Sequence, residues 1–419
     1  MSGPDIEYSW RDGRLQARSL RALNAVGGAI ARAGLSLPSL APDAIVEAAR
    51  KRAGGDELGG DSYREPLERY VDAAESEAEL TTVGRLGVRQ MLVSSLANRI
   101  QLTRYAREHP ETLKQEIEAP WVIAGLPRTG TSLLSILLGL DPTARPLLHW
   151  EAAAPIPPPS LATAAEDPRI AANAKELAGL HRLNPALRAM HPFGATIAQE
   201  CVALFMLDLR TLGVETQAYV PSYGRWLQQC DMSPAYAQHQ LALQVLQSAQ
   251  PTERWVMKTP NHLWCLDTLF DFYPDARVIW THRDPGKVTT SLASLVNALQ
   301  GMFTDRSAPR TVAEEWLGKA RHAIDSGMRF DEGRAPGWCD HVRYVDLVDV
   351  PIGVVRKIYA RYGEEVSPLH QRRMQVWLRD RTPEAIGHHV YDPADFDWTY
   401  DALAEQFEDY QKRYDVPRE

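Results

Sequence analysis

The chain has 419 residues, of which 44% are hydrophobic and 24% are charged, and its formal net charge at pH 7 is −8. This composition is typical of a globular protein with one large domain or two ordinary ones. The negative charge argues against a general nucleic-acid binder, because a protein of that class presents a basic surface to phosphates.

The sequence shows no signal for the membrane, for export or for a metal. No stretch approaches about 18 uninterrupted apolar residues, so no transmembrane helix is expected. The first twenty residues have no apolar run after a basic start, which argues against a secretory signal and for a cytoplasmic enzyme. The four cysteines, at positions 201, 230, 265 and 339, form no C-x-x-C pair, so neither a zinc site nor a disulfide framework is indicated.

Residues 1 to about 117 are predicted to form a helical N-terminal region. The segment 41–54 is amphipathic and ends at Gly54, and the segments 65–80 and 81–110 carry apolar residues at i, i+3 and i+4 spacing. No chemical motif occurs there, and we expect the region to pack on the rest of the chain.

From residue 118 to residue 419, short apolar runs alternate with helical segments. WVIAG, RWVMK, ARVIWTH and DHVRY predict strands, each followed by a helix. Continuous apolar runs suit strands covered on both faces, as in a parallel sheet. We therefore predict an α/β domain with a P-loop-like parallel sheet flanked by helices. A helical insertion at about 151–250, with segments at 168–190, 195–212 and 234–249, interrupts it.

The sequence WVIAGLPRTGTSLLSILLGL, residues 121–140, reads as a strand, a glycine-rich turn and a buried helix. It has the spacing of a phosphate-binding loop from Gly125 to Gly130, but Thr131 stands where a nucleoside-triphosphate loop has lysine. Arg128 is the only positive charge in the loop. An anion fits such a turn, because backbone N–H groups and the helix dipole point at one place.

The missing lysine limits which anion the loop suits. In a nucleoside triphosphatase the lysine neutralises the β- and γ-phosphates, and the next Ser or Thr holds magnesium. A ligand with fewer charges that needs no metal fits this loop better. A tight turn without any ligand and a degenerate nucleoside-triphosphate loop stay open as alternatives.

A second charged motif, WTHRDPGKVTTSL, follows the third predicted strand. Arg283 ends that strand, and Ser291 lies eight residues later within the next helix. The planar guanidinium donates two parallel hydrogen bonds, so the pair can converge on one phosphate. Equally, Arg283 and Asp284 can form a plain surface ion pair, with Ser291 a solvated helix residue.

Together the two motifs resemble those of the sulfotransferase superfamily, and more closely its bacterial branch that shares motifs with tyrosylprotein sulfotransferases. The resemblance covers roughly residues 120–400 and implies 3′-phosphoadenosine 5′-phosphosulfate (PAPS) as sulfuryl donor. It also implies that Arg283 and Ser291 bind the 3′-phosphate of PAPS. The residues it assigns to the 5′-phosphosulfate end are Arg128, Thr129, Gly130, Thr131 and Ser132.

Three weaker motifs extend the resemblance. WVMKTP places Lys258 before a Thr-Pro pair, at the carboxyl edge of a parallel sheet where such ligands bind. RYVDL resembles an element whose tyrosine, here Tyr344, lies near the adenine, although Val345 replaces the usual acid. IGHHVYDPADFDW resembles a C-terminal loop that closes over the nucleotide, with His388 and His389 where lysine or arginine is common. That contact is then weaker or pH-dependent.

The implied reaction is in-line sulfuryl transfer, with Arg128 and Lys258 supplying positive charge. Ser291 is counted with them among the expected catalytic residues. The acceptor hydroxyl or amine needs a base. Glu151 is our first candidate, because it stands close to where the tyrosylprotein branch carries its basic glutamate. Its pKa has to rise through burial beside Trp150 to serve at neutral pH. The rival candidates are His149, His191 and Glu200.

The acceptor is not named by the sequence. Aromatic and apolar residues of the insertion suit an apolar, aromatic or lipid-like acceptor, but they are equally compatible with ordinary core: Phe193, Phe205, Met206, Tyr219, Tyr223 and Trp226. We therefore expect a small-molecule, lipid or carbohydrate acceptor, no nucleic acid, no metal, and a chain compatible with a homodimer. The competing functions are an ATP-dependent small-molecule kinase with a degenerate P-loop and a non-catalytic nucleotide-binding protein.

Overall fold

The structure is a computed structural model that describes residues 7–13, 18–34, 37–190, 194–306, 308–380 and 388–419. Its strands are β1 (Glu7–Tyr8), β2 (Trp121–Ala124), β3 (Ala144–Pro146), β4 (Arg254–Lys258), β5 (Arg277–His282), β6 (Cys339–Arg343) and β7 (His388–His389).

The α-helices are α1 (Arg18–Arg32), α2 (Pro42–Ala53), α3 (Arg64–Ser76), α4 (Thr82–Glu108), α5 (Thr131–Gly139), α6 (His149–Ala153), α7 (Pro168–Leu183), α8 (Leu187–Met190), α9 (Val202–Phe205), α10 (Leu212–Glu215), α11 (Pro221–Leu227), α12 (Ser233–Ala249), α13 (Leu266–Phe272), α14 (Pro285–Gln300), α15 (Pro309–Glu332), α16 (Tyr344–Asp349), α17 (Pro351–Arg361), α18 (Pro368–Asp380), α19 (Tyr400–Gln406) and α20 (Glu408–Arg413). Short 3-10 helices cover Trp10–Gly13, Pro110–Lys114, Ala164–Glu166, Pro260–Trp264 and Pro393–Phe396.

The centre of the fold is a five-stranded sheet in the order β3-β4-β2-β5-β6, and every pair in it is parallel. In the middle, Val122 pairs with Met257 on one side and with Val278 on the other. Strands β2 and β5 are apolar along nearly their whole length, because helices cover both faces of the sheet. The predicted α/β class with a parallel sheet is confirmed.

Alternate residues of each strand point to two separate hydrophobic layers. Val122, Met257 and Val278 belong to a large core cluster on one face. Ile123 and Ile279 belong to a second cluster, which α5 and α17 cover on the other face. The period of two along a strand sends neighbouring side chains to opposite faces, which explains this division.

The N-terminal helices share the larger of these clusters with the sheet. Val88 and Leu96 of α4 are fully buried in it together with Val278. Helix α4 begins with a Thr81 cap, whose hydroxyl accepts a hydrogen bond from the backbone N–H of Gly84. The helical region predicted before residue 118 therefore packs directly on the α/β part of the chain.

The insertion is less helical than its sequence predicts. Between residues 195 and 212, the predicted helix is replaced by turns and the four-residue helix α9. Leu209 adopts a positive φ of 65°, a backbone conformation that ends helical geometry. Helix α15 and the short parallel pair of β1 with β7 were not predicted from the sequence.

Across the described ranges, none of the helices is both long enough and apolar enough to cross a lipid bilayer.

Candidate active site

The candidate site lies at the carboxyl edge of the central sheet. Because the strands are parallel, the segments after β2, β4, β5 and β6 all emerge at this one edge. These segments carry the residues that the sequence singles out: the glycine-rich loop, Lys258, Arg283 and Tyr344. The topology therefore explains why motifs more than two hundred residues apart in sequence face one region.

The glycine-rich loop connects β2 to α5 through a tight left-handed turn. Gly125 and Gly130 adopt φ values of 147° and 89°. A Cβ atom on Gly130 would lie 2.9 Å from Leu347 and 3.0 Å from Tyr344, so only glycine lets the loop approach α16 this closely. Arg128 also adopts a positive φ, of 73°, which is uncommon for a residue with a side chain.

The hydroxyl groups of this loop differ in what they contact. Thr129 is 1% exposed, and its hydroxyl lies 2.7 Å from the carbonyl oxygen of Leu126 and 2.6 Å from the Thr281 hydroxyl. That side chain is committed to the loop itself, so only its backbone N–H remains for a ligand. Ser132 is partly exposed, and its hydroxyl lies 3.4 Å from Lys258 Nζ.

Arg128 is held at the site by uncharged partners. Its Nε donates to Ser291 Oγ at 3.1 Å, and its Nη1 donates to the Met190 carbonyl at 2.6 Å. Burial lowers the pKa of Arg128, and nearby Arg283 acts in the same direction. Among the described residues no carboxylate forms an ion pair with Arg128, so its charge is available to an anion.

Arg283 already holds an anionic group. Its Nε and Nη2 donate to the side-chain carboxylate of Glu419 at 2.9 and 2.7 Å, and its Nη1 donates to the carbonyl of Arg128 at 3.0 Å. The guanidinium also stacks on the Tyr344 ring, 4.0 Å from its centroid. Burial by itself lowers the pKa of Arg283, but Glu419 more than offsets this and the pKa is raised.

Lys258 lies between the glycine-rich loop and a carboxylate of the insertion. Its side chain is 2% exposed, and its Nζ lies 3.1 Å from Glu200 Oε1 and 3.4 Å from Ser132 Oγ. Glu200 is brought there because the backbone N–H of Cys201 donates to the Lys258 carbonyl at 2.7 Å. The Glu200 side chain is 18% exposed, so an incoming molecule can reach it.

Glu151, our first candidate for the base, has a different environment. One oxygen accepts from Arg145 Nη2 at 2.6 Å, and the other accepts from the backbone N–H of Leu148 at 3.1 Å at the start of α6. The side chain is 2% exposed. Both oxygens are therefore engaged in the fold, and this geometry disfavours Glu151 as a group that receives a proton from a substrate.

The two histidine candidates for the base are not placed beside Lys258 by any described contact. His149 Nδ1 lies 2.8 Å from the amide oxygen of Asn173, and burial lowers the pKa of the imidazole. His191 lies outside the residues that the structure describes, as does Phe193 of the expected acceptor pocket.

The C-terminal loop contributes one histidine to the site. His389 Nε2 lies 2.9 Å from Ser294 Oγ on α14, and β7, which holds it, pairs with β1. Burial, together with the charge of Arg128, lowers the pKa of His389 to about 3. His389 is therefore neutral in the physiological range, whereas His388 beside it is exposed.

Most aromatic residues of the insertion belong to the core. Phe205 is fully buried, and Tyr223 packs edge-on against Tyr70 of α3. A groove of about 580 Å³ does lie beside the insertion, between α4, α6 and α7, and Met206 and Gln199 line it. Gln199 stands next to Glu200 in the chain, so the groove reaches the neighbourhood of the Lys258–Glu200 pair.

The chain is similar in sequence and in fold to known sulfotransferases. The family model described as "Sulfotransferase family" matches residues 120–368. The crystal structure of sulfotransferase STF9 from Mycobacterium avium is similar, with 31% identity, a TM-score of 0.82, and coverage of 90% of this chain and 97% of that one. Sulfotransferase STF1 from Mycobacterium tuberculosis is 30% identical with a TM-score of 0.79, and the match covers 87% of this chain and 97% of that chain. No curated protein matches the chain.

Proposed function

Because the chain belongs to the sulfotransferase family, we propose that this enzyme transfers a sulfuryl group from PAPS to a hydroxyl or amine of a small-molecule, lipid or carbohydrate acceptor. The observation that carries the proposal is the position of Lys258. Its ammonium contacts both the hydroxyl of Ser132, in the loop proposed to hold the donor, and the carboxylate of Glu200. Lys258 is therefore within reach of both the proposed donor loop and the proposed base, Glu200.

The net charge of the side chains at the carboxyl edge of the sheet supports an anionic donor. Three cations, Arg128, Lys258 and Arg283, stand against two carboxylates, Glu200 and Glu419, which leaves one positive charge among these groups. Guanidinium and ammonium groups at the end of a glycine-rich loop suit phosphate and sulfate oxygens. The backbone N–H groups from Thr129 to the first turn of α5 add uncharged hydrogen-bond donors for the anion.

The 3′-phosphate of the donor is assigned to Arg283. Its planar fork already binds the Glu419 carboxylate through two nitrogens, which is the geometry that it offers to a phosphate. Tyr344, stacked under this guanidinium, supplies a flat surface for the adenine. Ser291 and His389, close to Arg128, complete the pocket on the side of α14.

In the transfer step the acceptor oxygen or nitrogen attacks sulfur, and the bond between sulfur and the bridging oxygen of the donor breaks. 3′-Phosphoadenosine 5′-phosphate (PAP) leaves with the electron pair of that bond. Arg128 and Lys258 stabilise the charge that develops on the bridging and peripheral oxygens. These two side chains supply the positive charge, so the proposed step uses no metal ion.

We assign the base to Glu200 and no longer to Glu151. Glu200 Oε1 lies 3.1 Å from the ammonium of Lys258, so the proposed base and the proposed cation are paired before the donor arrives. When the donor arrives, Lys258 can turn towards the bridging oxygen and leave the carboxylate to the acceptor. The groove lined by Gln199 and Met206 is the proposed acceptor path, because Gln199 directly precedes Glu200 in the chain.

Calorimetric titration with PAP tests the donor assignment. We expect the bisphosphate to bind without magnesium, and the Arg283→Ala substitution to abolish that binding. Arg277→Ala is the matched control, because Arg277 lies at the opposite end of the same strand and pairs with Glu364. Its affinity for PAP should equal that of the wild type.

ATP titrated beside PAP distinguishes the competing functions. Binding of ATP only with magnesium, and none of the bisphosphate, would overturn the sulfotransferase proposal in favour of the kinase. Binding of PAP without release of PAP from PAPS, in the presence of a broad panel of alcohols, phenols and amines, would favour a non-catalytic nucleotide-binding protein.

A further inference from the structure

Three potential metal ligands from separate segments come together in the core, close in sequence to Lys258 and Glu200. Cys201 precedes α9, His239 lies on α12, and His262 lies in the 3-10 helix that follows β4. One ligand atom from each of them lies within 4.8 Å of the other two. All three residues are buried, with exposures of 2%, 0% and 0%.

The two imidazoles present unpaired nitrogens in this cluster. Within the part of the chain that the structure describes, neither His239 Nε2 nor His262 Nε2 has a hydrogen-bond partner. A buried polar atom without a partner costs about 1–3 kcal/mol, and here two of them belong to rings that group with a thiol. Most buried polar groups in proteins are paired, so two orphans in one cluster call for a ligand.

The opposite nitrogens of both rings are held by tyrosines. His262 Nδ1 lies 2.7 Å from the Tyr236 hydroxyl, and His239 Nδ1 lies 2.8 Å from the Tyr273 hydroxyl. When each Nδ1–H donates to its tyrosine, the Nε2 lone pairs are left facing the cluster. A metal-binding histidine characteristically has such a partner on its other nitrogen, which fixes the tautomer and the ring orientation.

We propose that Cys201, His239 and His262 form a binding site for one thiophilic transition-metal ion, Zn²⁺ or Cu⁺. One thiolate and two imidazoles suit both of these ions, whereas Mg²⁺ and Ca²⁺ prefer oxygen ligands. Binding converts the Cys201 thiol to a thiolate and releases its proton, so no electron is transferred. The ring of Phe205, which packs against both histidines, shields the ion from solvent.

The position of this site gives the bound ion a structural role, which is to hold together the segments that carry Lys258 and Glu200. Cys201 follows Glu200 directly, and its backbone N–H binds the carbonyl of Lys258. His262 lies four residues after Lys258. An ion on these ligands therefore ties together the two segments that carry Lys258 and Glu200, without itself contacting the substrate.

Titration of the full-length chain with Co²⁺, a spectroscopic substitute for Zn²⁺, tests the site. We expect one Co²⁺ per chain, a thiolate-to-cobalt charge-transfer band, and displacement of that band by Zn²⁺ or Cu⁺. The competing ion that acts at the lower concentration distinguishes the two candidates. Mg²⁺ in excess should leave the band unchanged.

The Cys201→Ala variant should lose the band, and Cys339→Ala is its matched control. Cys339 is also buried, and its sulfur lies 3.3 Å from His341 Nε2, but His341 Nδ1 is occupied by His282 Nε2 at 2.9 Å, and these residues form no metal-ligating group in the described part of the chain. Absence of the band in the wild type, or its persistence in Cys201→Ala, would overturn the proposal.

A measurement on the wild type alone covers the case in which Cys201→Ala does not fold. X-ray absorption of the Zn²⁺-loaded or Cu⁺-loaded chain should show one sulfur neighbour at about 2.3 Å and nitrogen neighbours at about 2.0 Å. A spectrum with oxygen and nitrogen neighbours and no sulfur would overturn the assignment. PAP binding is independent of this test, so failure of the metal site leaves the sulfotransferase proposal standing.

Discussion

Two ion pairs near the central sheet contain the two glutamates that the sequence offers as bases, and their surroundings differ. In the Arg145–Glu151 pair, Arg145 also donates to the carbonyls of Leu246 and Gln250, and Glu151 accepts a backbone N–H. Every group there faces a fixed partner inside the protein. The pair is therefore part of the fold.

The Lys258–Glu200 pair is organised in another way. Its cation reaches into the glycine-rich loop, and its carboxylate is 18% exposed instead of 2%. The difference teaches that a buried ion pair by itself does not identify a catalytic carboxylate. The useful distinction is the exposure of the carboxylate, because an incoming molecule can reach Glu200 at 18% exposure far more readily than Glu151 at 2%.

The largest expected effect is a loss of activity when Glu200, which is the proposed base in place of Glu151, is replaced. Glu200→Gln should lower kcat for PAP release from PAPS by about 10²–10⁴-fold, because an amide cannot accept the proton of the acceptor. The measurement uses whichever alcohol, phenol or amine the wild-type enzyme turns over. A variant with unchanged kcat would remove Glu200 from the mechanism.

The second effect concerns stability. Glu151→Gln leaves the Arg145 guanidinium buried without a counter-charge, and we expect a loss of about 3 kcal/mol in the free energy of unfolding. Denaturation in urea measures this loss, and the affinity of the folded variant for PAP should match that of the wild type. A stable Glu151→Gln variant that loses activity a hundredfold would exchange the roles of the two glutamates.

A third pair, Arg283–Glu419, lies between these two extremes because its carboxylate occupies the proposed phosphate site. Glu419→Gln should raise the affinity for PAP about 2–5-fold, since an exposed ion pair contributes roughly 0.2–1 kcal/mol. Asp401→Asn changes the net charge equally, but Asp401 pairs with Arg418 and not with Arg283. An equal gain in both variants would trace the effect to net charge alone.

A final effect, which appears only at acidic pH, extends the comparison to His389, because burial lowers the pKa of its imidazole. Its pKa of about 3 in the folded state lies below the ordinary value of 6.5, so the unfolded chain binds the proton more readily between these values. Stability should therefore fall as the pH decreases from about 6.5 towards 3, by up to about 1.4 kcal/mol per pH unit.

Urea denaturation at a series of pH values measures the contribution of His389. The slope should become shallower in His389→Gln and stay unchanged in His388→Gln, because His388 is exposed. Equal slopes in all three proteins would show that the folded state does not depress the pKa of His389.

The sequence predicted the parts of the site that local patterns encode. Apolar runs followed by glycine, lysine or arginine predicted both the strands and the residues at their carboxyl ends, because a parallel sheet collects those ends at one edge. Lys258, Arg283 and the loop around Arg128 were therefore predicted correctly to lie at the ends of strands. Their roles towards the donor remain predictions.

Other features depend on long-range packing that no local pattern records. Glu151 and Glu200 are the same residue type, and their environments differ because Glu151 pairs with Arg145, whereas the backbone contact between Cys201 and Lys258 brings Glu200 to Lys258. Glu419 carries no motif, although its carboxylate occupies the fork of Arg283. The histidines near Cys201 were missed for the same reason, since the spacing of cysteines alone gives no signal of a mixed site.

The short sheet that joins β1 to β7 has a consequence for the order of folding. Residues Glu7–Tyr8 pair with His388–His389, so the strand that holds one wall of the proposed nucleotide pocket finds its partner about 380 residues away in the chain. During synthesis the segment that holds Glu7 and Tyr8 emerges before its partner, and it has to wait until residues 388–389 have been made. The proposed pocket is therefore completed only after the strands of the parallel sheet, which all lie before residue 344, have been made, and shorter chains at the ribosome lack this wall of the proposed donor site.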